Sequence, residues 1–176
     1  EPATETKSIS WGKLFNHPST WYMAIGNFGI SYPMWICLTW LPGYLVSERG
    51  LSLKDMGWMA SIPFIAGIFG VALGGIVSDA LIRNGWKPIT ARKVPLIVGS
   101  ILAALSFGSV TMIQDLNVDI ALLAIGYFGA SLCPGVLWTL ATDVAPKSMV
   151  ASLGSIQNFG AYIGAAIAPI GTGYLL

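Results

Sequence analysis

Charge is what this sequence has least of. Only 10% of its 176 residues are Asp, Glu, Lys or Arg, against about 25% in an ordinary soluble domain. Hydrophobic residues make up 55% of the chain and the mean hydropathy is +0.71, so lipid must solvate part of the surface. There is one histidine, His17, and the two cysteines, Cys37 and Cys133, both sit inside apolar runs. That placement suits packing residues and argues against a disulfide framework. A net charge of +1 with no basic stripe argues against nucleic acid as a partner. No metal-ligand cluster, nucleophile–base set or phosphate loop appears. Neither an enzyme nor a metal nor a cofactor is expected.

What the chain does have is long apolar runs. Crossing the hydrocarbon core takes roughly 20 mostly apolar residues in a helix. Five stretches qualify, at about 21–46, 56–82, 94–113, 118–142 and 149–176. They are too long and continuous for strands and lack the alternation of a membrane barrel. The expected fold class is therefore all-α, a polytopic transmembrane helical bundle. Residues 1–20 are expected to form a cytoplasmic linker and an interfacial segment, and residues 21–176 a partial bundle. Ile9–Leu14 is the candidate for a short helix lying along the membrane surface.

The cations orient the bundle. Between Ile82 and Val94 stand Arg83, Lys87, Arg92 and Lys93, with no acid among them. Together with Lys7, Lys13 and Lys147 they put seven cations on one side, against Arg49 and Lys54 on the other. The cation-rich side is normally cytoplasmic, so residue 1 is placed inside. The chain then starts in a polar stretch without Met and stops in an apolar helix, and we expect it to be the second part of a longer protein.

Small residues mark the helix contacts. Gly70 and Gly74, and again Gly160 and Gly164, have the GxxxG spacing that lets two backbones approach closely in lipid. Pro33, Pro42, Pro63, Pro134 and Pro169 fall within the runs, where they are expected to kink or interrupt helices.

Polar residues at membrane depth mark either glue or a site. Asn27, Ser31 and Trp35 recur every four residues and share one helical face, flanked by Tyr32 and Thr39. Trp138, Thr139 and Thr142 follow Pro134-Gly135, and Ser155, Asn158 and Tyr162 share a face, with Gln157 beside it. A buried amide must find partners, because hydrocarbon supplies none. Interhelical hydrogen bonds of about 0.6 to 2 kcal/mol each are one outcome. The other is a cavity for a hydroxylated solute, since amides both donate and accept while Trp and Tyr supply a stacking wall with one polar tip. No ionisable side chain lies deep in any run, so a protonation switch of the usual intramembrane kind is not expected within this chain.

The segment Gly75-x-x-x-Asp79 followed by Arg83, Arg92 and Lys93 resembles the cytoplasmic-loop motif of the major facilitator superfamily. Asp79 can pair with Arg83 one turn on or with Arg92 at the head of the next run. Ala80 departs from the motif's usual cation after the acid. The run Trp35-Ile36-Cys37-Leu38-Thr39-Trp40-Leu41-Pro42-Gly43-Tyr44-Leu45 is similar to the seventh helix of the anion:cation symporter family, and most of all to its bacterial sugar-acid transporters. Ser61-Ile62-Pro63-Phe64, Ala91-Arg92-Lys93, Trp138 with Ala145-Pro146, and Asn158-Phe159-Gly160 are similar too.

The resemblance covers residues 11–176 and implies that the five runs match helices 7–11 of a twelve-helix major facilitator fold. It implies a conformational latch of Asp79, Arg83 and Arg92, and a substrate site containing Asn27, Trp138 and Asn158, with Ser31 and Trp35 on the face of Asn27. Asn27 stands where the family usually carries the longer Gln, and Leu137 where the galactonate type carries a hydroxyl residue. These departures leave the particular acid open. The implied partners are a small organic anion and a proton, the latter handled by an N-terminal half outside this chain, and membrane lipid.

The function expected on these grounds is proton-coupled symport of a sugar acid or related organic anion across a bacterial inner membrane, by alternating access. The alternative is a non-transporting helical scaffold or assembly subunit whose amides only join helices. A coding sequence with six further apolar runs upstream and one downstream supports the transporter; stop codons at both ends support the scaffold.

Overall fold

The computed structural model describes residues 12–175; the expected linker and most of the surface segment before Leu14 lie outside them. The described residues are mostly helical, joined by short turns, and contain no strand. A short α1 (Gly12–Phe15) leads into α2 (Pro18–Ser47), α3 (Leu53–Arg83) and α4 (Pro88–Val110). Then come α5 (Leu116–Ser131), α6 (Pro134–Val144), a single 3-10 turn at Lys147–Met149, and α7 (Val150–Leu175). Each apolar run of the sequence is thus covered by one helical rod, α5 and α6 together forming the fourth. By length and composition α3, α4 and the α5–α6 rod are able to cross a membrane. The 30-residue α2 and 26-residue α7 have the length as well, but are richer in Gly, Ser, Tyr, Trp and Pro.

Local chemistry sets the ends. The Ser52 hydroxyl accepts the Asp55 backbone N–H at 3.1 Å and opens α3, while Asp115 Oδ1 accepts from Asn117 and Val118 to open α5. Both satisfy N–H groups that a helix start leaves orphaned. Gly85, with φ at +88°, reverses the chain after α3, a conformation that a Cβ disfavours. α4 begins at Pro88, six residues before its apolar run, because a proline suits the first helical turn in polar and apolar segments alike.

Of the five prolines expected to kink or interrupt helices, only Pro134 interrupts one. It has no N–H to offer the carbonyl of Ala130 and its ring crowds that carbonyl, so the rod parts at Leu132-Cys133. Pro33, Pro42, Pro63 and Pro169, along with Pro95 in α4, sit inside unbroken helices. Both cysteines are buried and free.

The helices are joined by backbone approach. On α3, Gly70 and Gly74 rest on the carbonyls of Phe128 and Leu132; on α7, Gly160 and Gly164 rest on those of Ala24 and Phe28. Two glycines four residues apart meet two carbonyls four residues apart in each case, and the numbers rise together along both partners. Exchanging α2 with α5 and α7 with α3 maps one pair onto the other, the pattern of an inverted repeat. Gly99 of α4 and Gly129 of α5 meet in the same manner. Apolar clusters close the two ends. Leu41, Leu45, Ala60, Ile120 and Leu123 gather at one, and Leu14, Met149 and Ile156 at the other. Large apolar side chains such as Ile68, Leu105 and Ile170 point outward, as lipid-facing residues do.

Neighbouring glycines test this packing. A Cβ at Gly74 would overlap the Leu132 carbonyl, whereas one at Gly75 meets nothing within 4 Å. Gly74→Ala is expected to destabilise the protein by about 1–3 kcal/mol and Gly75→Ala to leave it unchanged or slightly firmer. Thermal melting in detergent with a fluorescence readout checks both; equal melting points for the two variants contradict the packing.

Candidate functional site

At the end of the bundle that carries α1, three helices meet through one guanidinium. Arg92, in the first turns of α4, donates from Nε to Asp143 Oδ2 at the end of α6. Its Nη1 lies 3.8 Å from Asp79 Oδ1 on α3 and 3.5 Å from Ser78 Oγ, to which it donates. The Arg92 side chain is 14% exposed, Asp143 22% and Asp79 67%. The shielded pair is therefore Arg92–Asp143, because solvent screens the attraction to Asp79. Of the three residues assigned to a latch, Asp79 and Arg92 come together. Arg83 stands exposed on the last turn of α3, in no ion pair among the described residues. Asp143 is not recognisable from sequence because nothing in its local sequence distinguishes it from an ordinary interfacial acid; only the break at Pro134 and the packing of α6 bring it beside Arg92.

Above this cluster lies a cleft of about 290 Å³ between α6 and α7, lined by Trp138, Thr142, Gly154, Ser155 and Asn158 among others. The Trp138 ring lies over Gly154 and is 56% exposed. The Thr142 and Ser155 hydroxyls give their protons to the carbonyls of Thr139 and Ala151. Each therefore turns lone pairs, and no donor, toward the cleft. The side chain of the half-buried Asn158 makes no hydrogen bond among the described residues, so its amide can both donate and accept. Among the described residues, no charged side chain lines the cleft. An aromatic face, hydroxyl acceptors and an uncommitted amide suit a neutral polyhydroxyl group.

The cleft unites two of the five candidate substrate residues. Asn27 on α2 is buried, and its Nδ2 donates to the Gln157 backbone carbonyl at 3.0 Å. Ser31 and Trp35, half-buried, continue its face one and two turns along α2. None of these three lines the cleft. Gln157, noted in the sequence only as lying beside the Asn158 face, is 2% exposed and donates from Nε2 to the Leu137 carbonyl at 3.2 Å.

A second charged cluster holds the opposite end together. Asp119, fully buried, accepts from Tyr44 at 2.8 Å and pairs with Arg49 at 3.0 Å. Arg49 also donates to the Ile113 and Gln114 carbonyls beyond α4. Partial burial alone lowers the Arg49 pKa, but the hydrogen bond with Tyr44 and the charge of Asp119 outweigh it and hold it above the ordinary value. The pairing of Arg49 with Asp119 across 70 residues was not visible in the sequence.

The geometry at Arg92 ranks its two acids. Asp143→Asn is expected to lower the melting temperature by several degrees, an uncharged partner costing about 1 kcal/mol or more at a shielded site. Asp79→Asn is expected to lower it little. A larger loss from Asp79→Asn in the same detergent melts contradicts the assignment.

The sequence model of the Major Facilitator Superfamily matches residues 1–169. The chain is similar to a probable L-galactonate transporter of Escherichia coli (strain K12), 38% identical over 171 residues that cover 94% of this chain and 37% of that protein. It is similar to a D-galactonate transporter of Escherichia coli O6:H1, 32% identical over 163 residues, 93% of this chain and 37% of the relative. A probable galactarate/D-glucarate transporter of Escherichia coli (strain K12) is 35% identical over 152 residues, 86% of this chain and 34% of that protein. The chain thus spans a little over a third of the length of the curated relatives it matches. With the helical bundle, its glycine-seated packing and its outward apolar side chains, the match identifies a multi-pass integral membrane chain that belongs to the Major Facilitator Superfamily.

Proposed function

We propose that this chain works as the C-terminal part of a proton-coupled symporter of a sugar acid or related organic anion in a bacterial inner membrane, with residue 1 on the cytoplasmic side. The observation that carries the reading is the α6–α7 cleft, where Trp138 and Asn158 stand together with two hydroxyl acceptors and no charge. The similarity to transporters named for galactonates and for galactarate and glucarate supports a solute with many hydroxyls. Asn158 would bond solute hydroxyls in both senses, and Trp138 would cover the apolar face of the carbon chain. Asn27, which keeps Oδ1 beyond its bond to Gln157, would extend the site on α2 with Ser31 and Trp35.

The carboxylate of such a solute needs a countercharge, and the coupling proton needs an acid. Both roles are assigned to the part of the transporter outside this chain. Asp79, Arg83 and Arg92 would steady one conformation from the cytoplasmic end while two helical bundles rock about the site. Arg92 acts as the centre of that latch, with Asp143 as the partner it keeps when Asp79 lets go.

Uptake into proteoliposomes by the complete transporter tests the reading, using D-galactonate, L-galactonate, galactarate and D-glucarate with and without a proton gradient. At least one acid is expected to accumulate only with the gradient inward. Asn158→Ala is expected to raise the apparent KM about fivefold or more, the worth of one or two hydrogen bonds. Kinetics unchanged by that substitution remove Asn158 from the site, and accumulation indifferent to the gradient ends the proton-coupling claim.

A further inference from the structure

Gln157 occupies a position that packing alone does not account for. Its side chain is almost wholly enclosed, yet Oε1 has no hydrogen-bond partner among the described residues, an arrangement that an apolar residue of the same size would avoid. What the amide does achieve is specific. Nε2 donates to the carbonyl of Leu137, the residue before Trp138, and the Gln157 carbonyl, one residue before Asn158, accepts from Asn27. Both acceptors are main-chain carbonyls inside helices, which keep a second lone pair after their helical bond. The links therefore fasten α2, α6 and α7 at one level without breaking any helix.

We propose that Gln157 is a positioning residue for the cleft. Through the Leu137 carbonyl it sets the offset between Trp138 on α6 and Asn158 on α7, and so the choice among stereoisomeric polyhydroxy acids. This rests on the transport reading above. The residue touches no solute itself. The offset matters because α6 is only 11 residues long and follows the break at Leu132-Cys133, so its setting depends on side-chain links, this one near Trp138 and the Arg92–Asp143 pair at its far end. Hydroxyl patterns of epimers differ by a single inverted centre, and an amide and a ring held at fixed separation discriminate them better than a pair free to adjust.

The test uses proteoliposomes carrying the complete transporter and the same four acids. Gln157→Met keeps the volume and loses the donor. It is expected to raise KM for the preferred acid about threefold to tenfold, the range of one interhelical hydrogen bond. The preference among the four acids should narrow, with maximal rate per transporter and melting temperature little changed. Gln157→Glu adds a signature that a merely structural role does not give: a protonated carboxyl can donate to the Leu137 carbonyl and an ionised one cannot. Its KM relative to the unsubstituted transporter is expected to be near one in acid and to climb as pH rises. Unchanged KM and preference in Gln157→Met, with a lower rate or melting point, overturn the proposal. If that variant fails to insert, a KM ratio for Gln157→Glu that stays flat with pH overturns it instead. Should Asn158→Ala and Trp138→Ala raise KM while Gln157→Met does not, the positioning role falls and the site stands. Should none of the four acids be transported, the transport reading falls and takes this assignment with it.

Discussion

The bundle depends on main-chain contact between helices. Lipid tails are as apolar as leucine, so burying apolar side chains yields little net gain inside a membrane, and association rests on close packing and hydrogen bonds. Gly70 and Gly74 against Phe128 and Leu132, and Gly160 and Gly164 against Ala24 and Phe28, bring backbone to backbone with no side chain between. The consequence is geometric. Helices this close have their carbonyls within reach of side chains on neighbouring helices, which is how Asn27 and Gln157 find acceptors in the middle of helical segments. Bulkier residues at the glycine positions would hold α7 too far from α2 for the Asn27 amide to reach the Gln157 carbonyl. The packing of small residues therefore comes before the polar links, and the links come before the cleft.

The same device used twice explains why the two halves of the bundle are alike and yet unequal. α2 with α7 and α5 with α3 are built on one plan, but Pro134 parts the rod of α5 and α6 whereas the prolines of α2 leave it continuous. An unbroken helix passes a constraint along its length. The parted one ends a constraint at Leu132, so α6 answers to its own neighbours, Arg92 through Asp143 and Gln157 through the Leu137 carbonyl. The short helix that carries Trp138 is thus fastened at both of its ends by side chains from other helices.

Much of this was legible in the sequence. The five apolar runs each became a helical rod, and both GxxxG pairs became close backbone contacts between helices, because both signals are local in the chain. Pro134 was recognisable as a helix breaker, but so were Pro33, Pro42, Pro63 and Pro169, and nothing local says which of them the neighbours will accommodate. Pairings across long stretches of chain were not legible. Arg92 with Asp143, Arg49 with Asp119, and Gln157 with Leu137 depend on how helices rotate about their axes, and a polar residue's spacing on its own helix does not encode its partner's. The candidate site was legible in part for the same reason. Trp138 and Asn158 line the same cleft from adjacent helices, whereas Asn27 is bound instead to the Gln157 carbonyl, a contact that the sequence pattern did not reveal.

The distribution of charge bears on what part of a solute the proposed site could hold. Its ion pairs sit at the two ends, Arg92 with Asp79 and Asp143 at one and Arg49 with Asp119 at the other. Between them, the described residues that line the cleft are all neutral. A carboxylate moved from water into such a cleft would lose its hydration and gain no countercharge, a cost of several kcal/mol at least. A hydroxyl moved there exchanges water for Asn158, Thr142 and Ser155 at nearly no cost, since every bond it leaves has a replacement of like strength. On the proposed reading, an anion with a hydroxylated tail would therefore enter tail-first into this cleft and keep its charged end directed away from it. The charge of such a solute would then have to be balanced by groups that face the cleft from outside it.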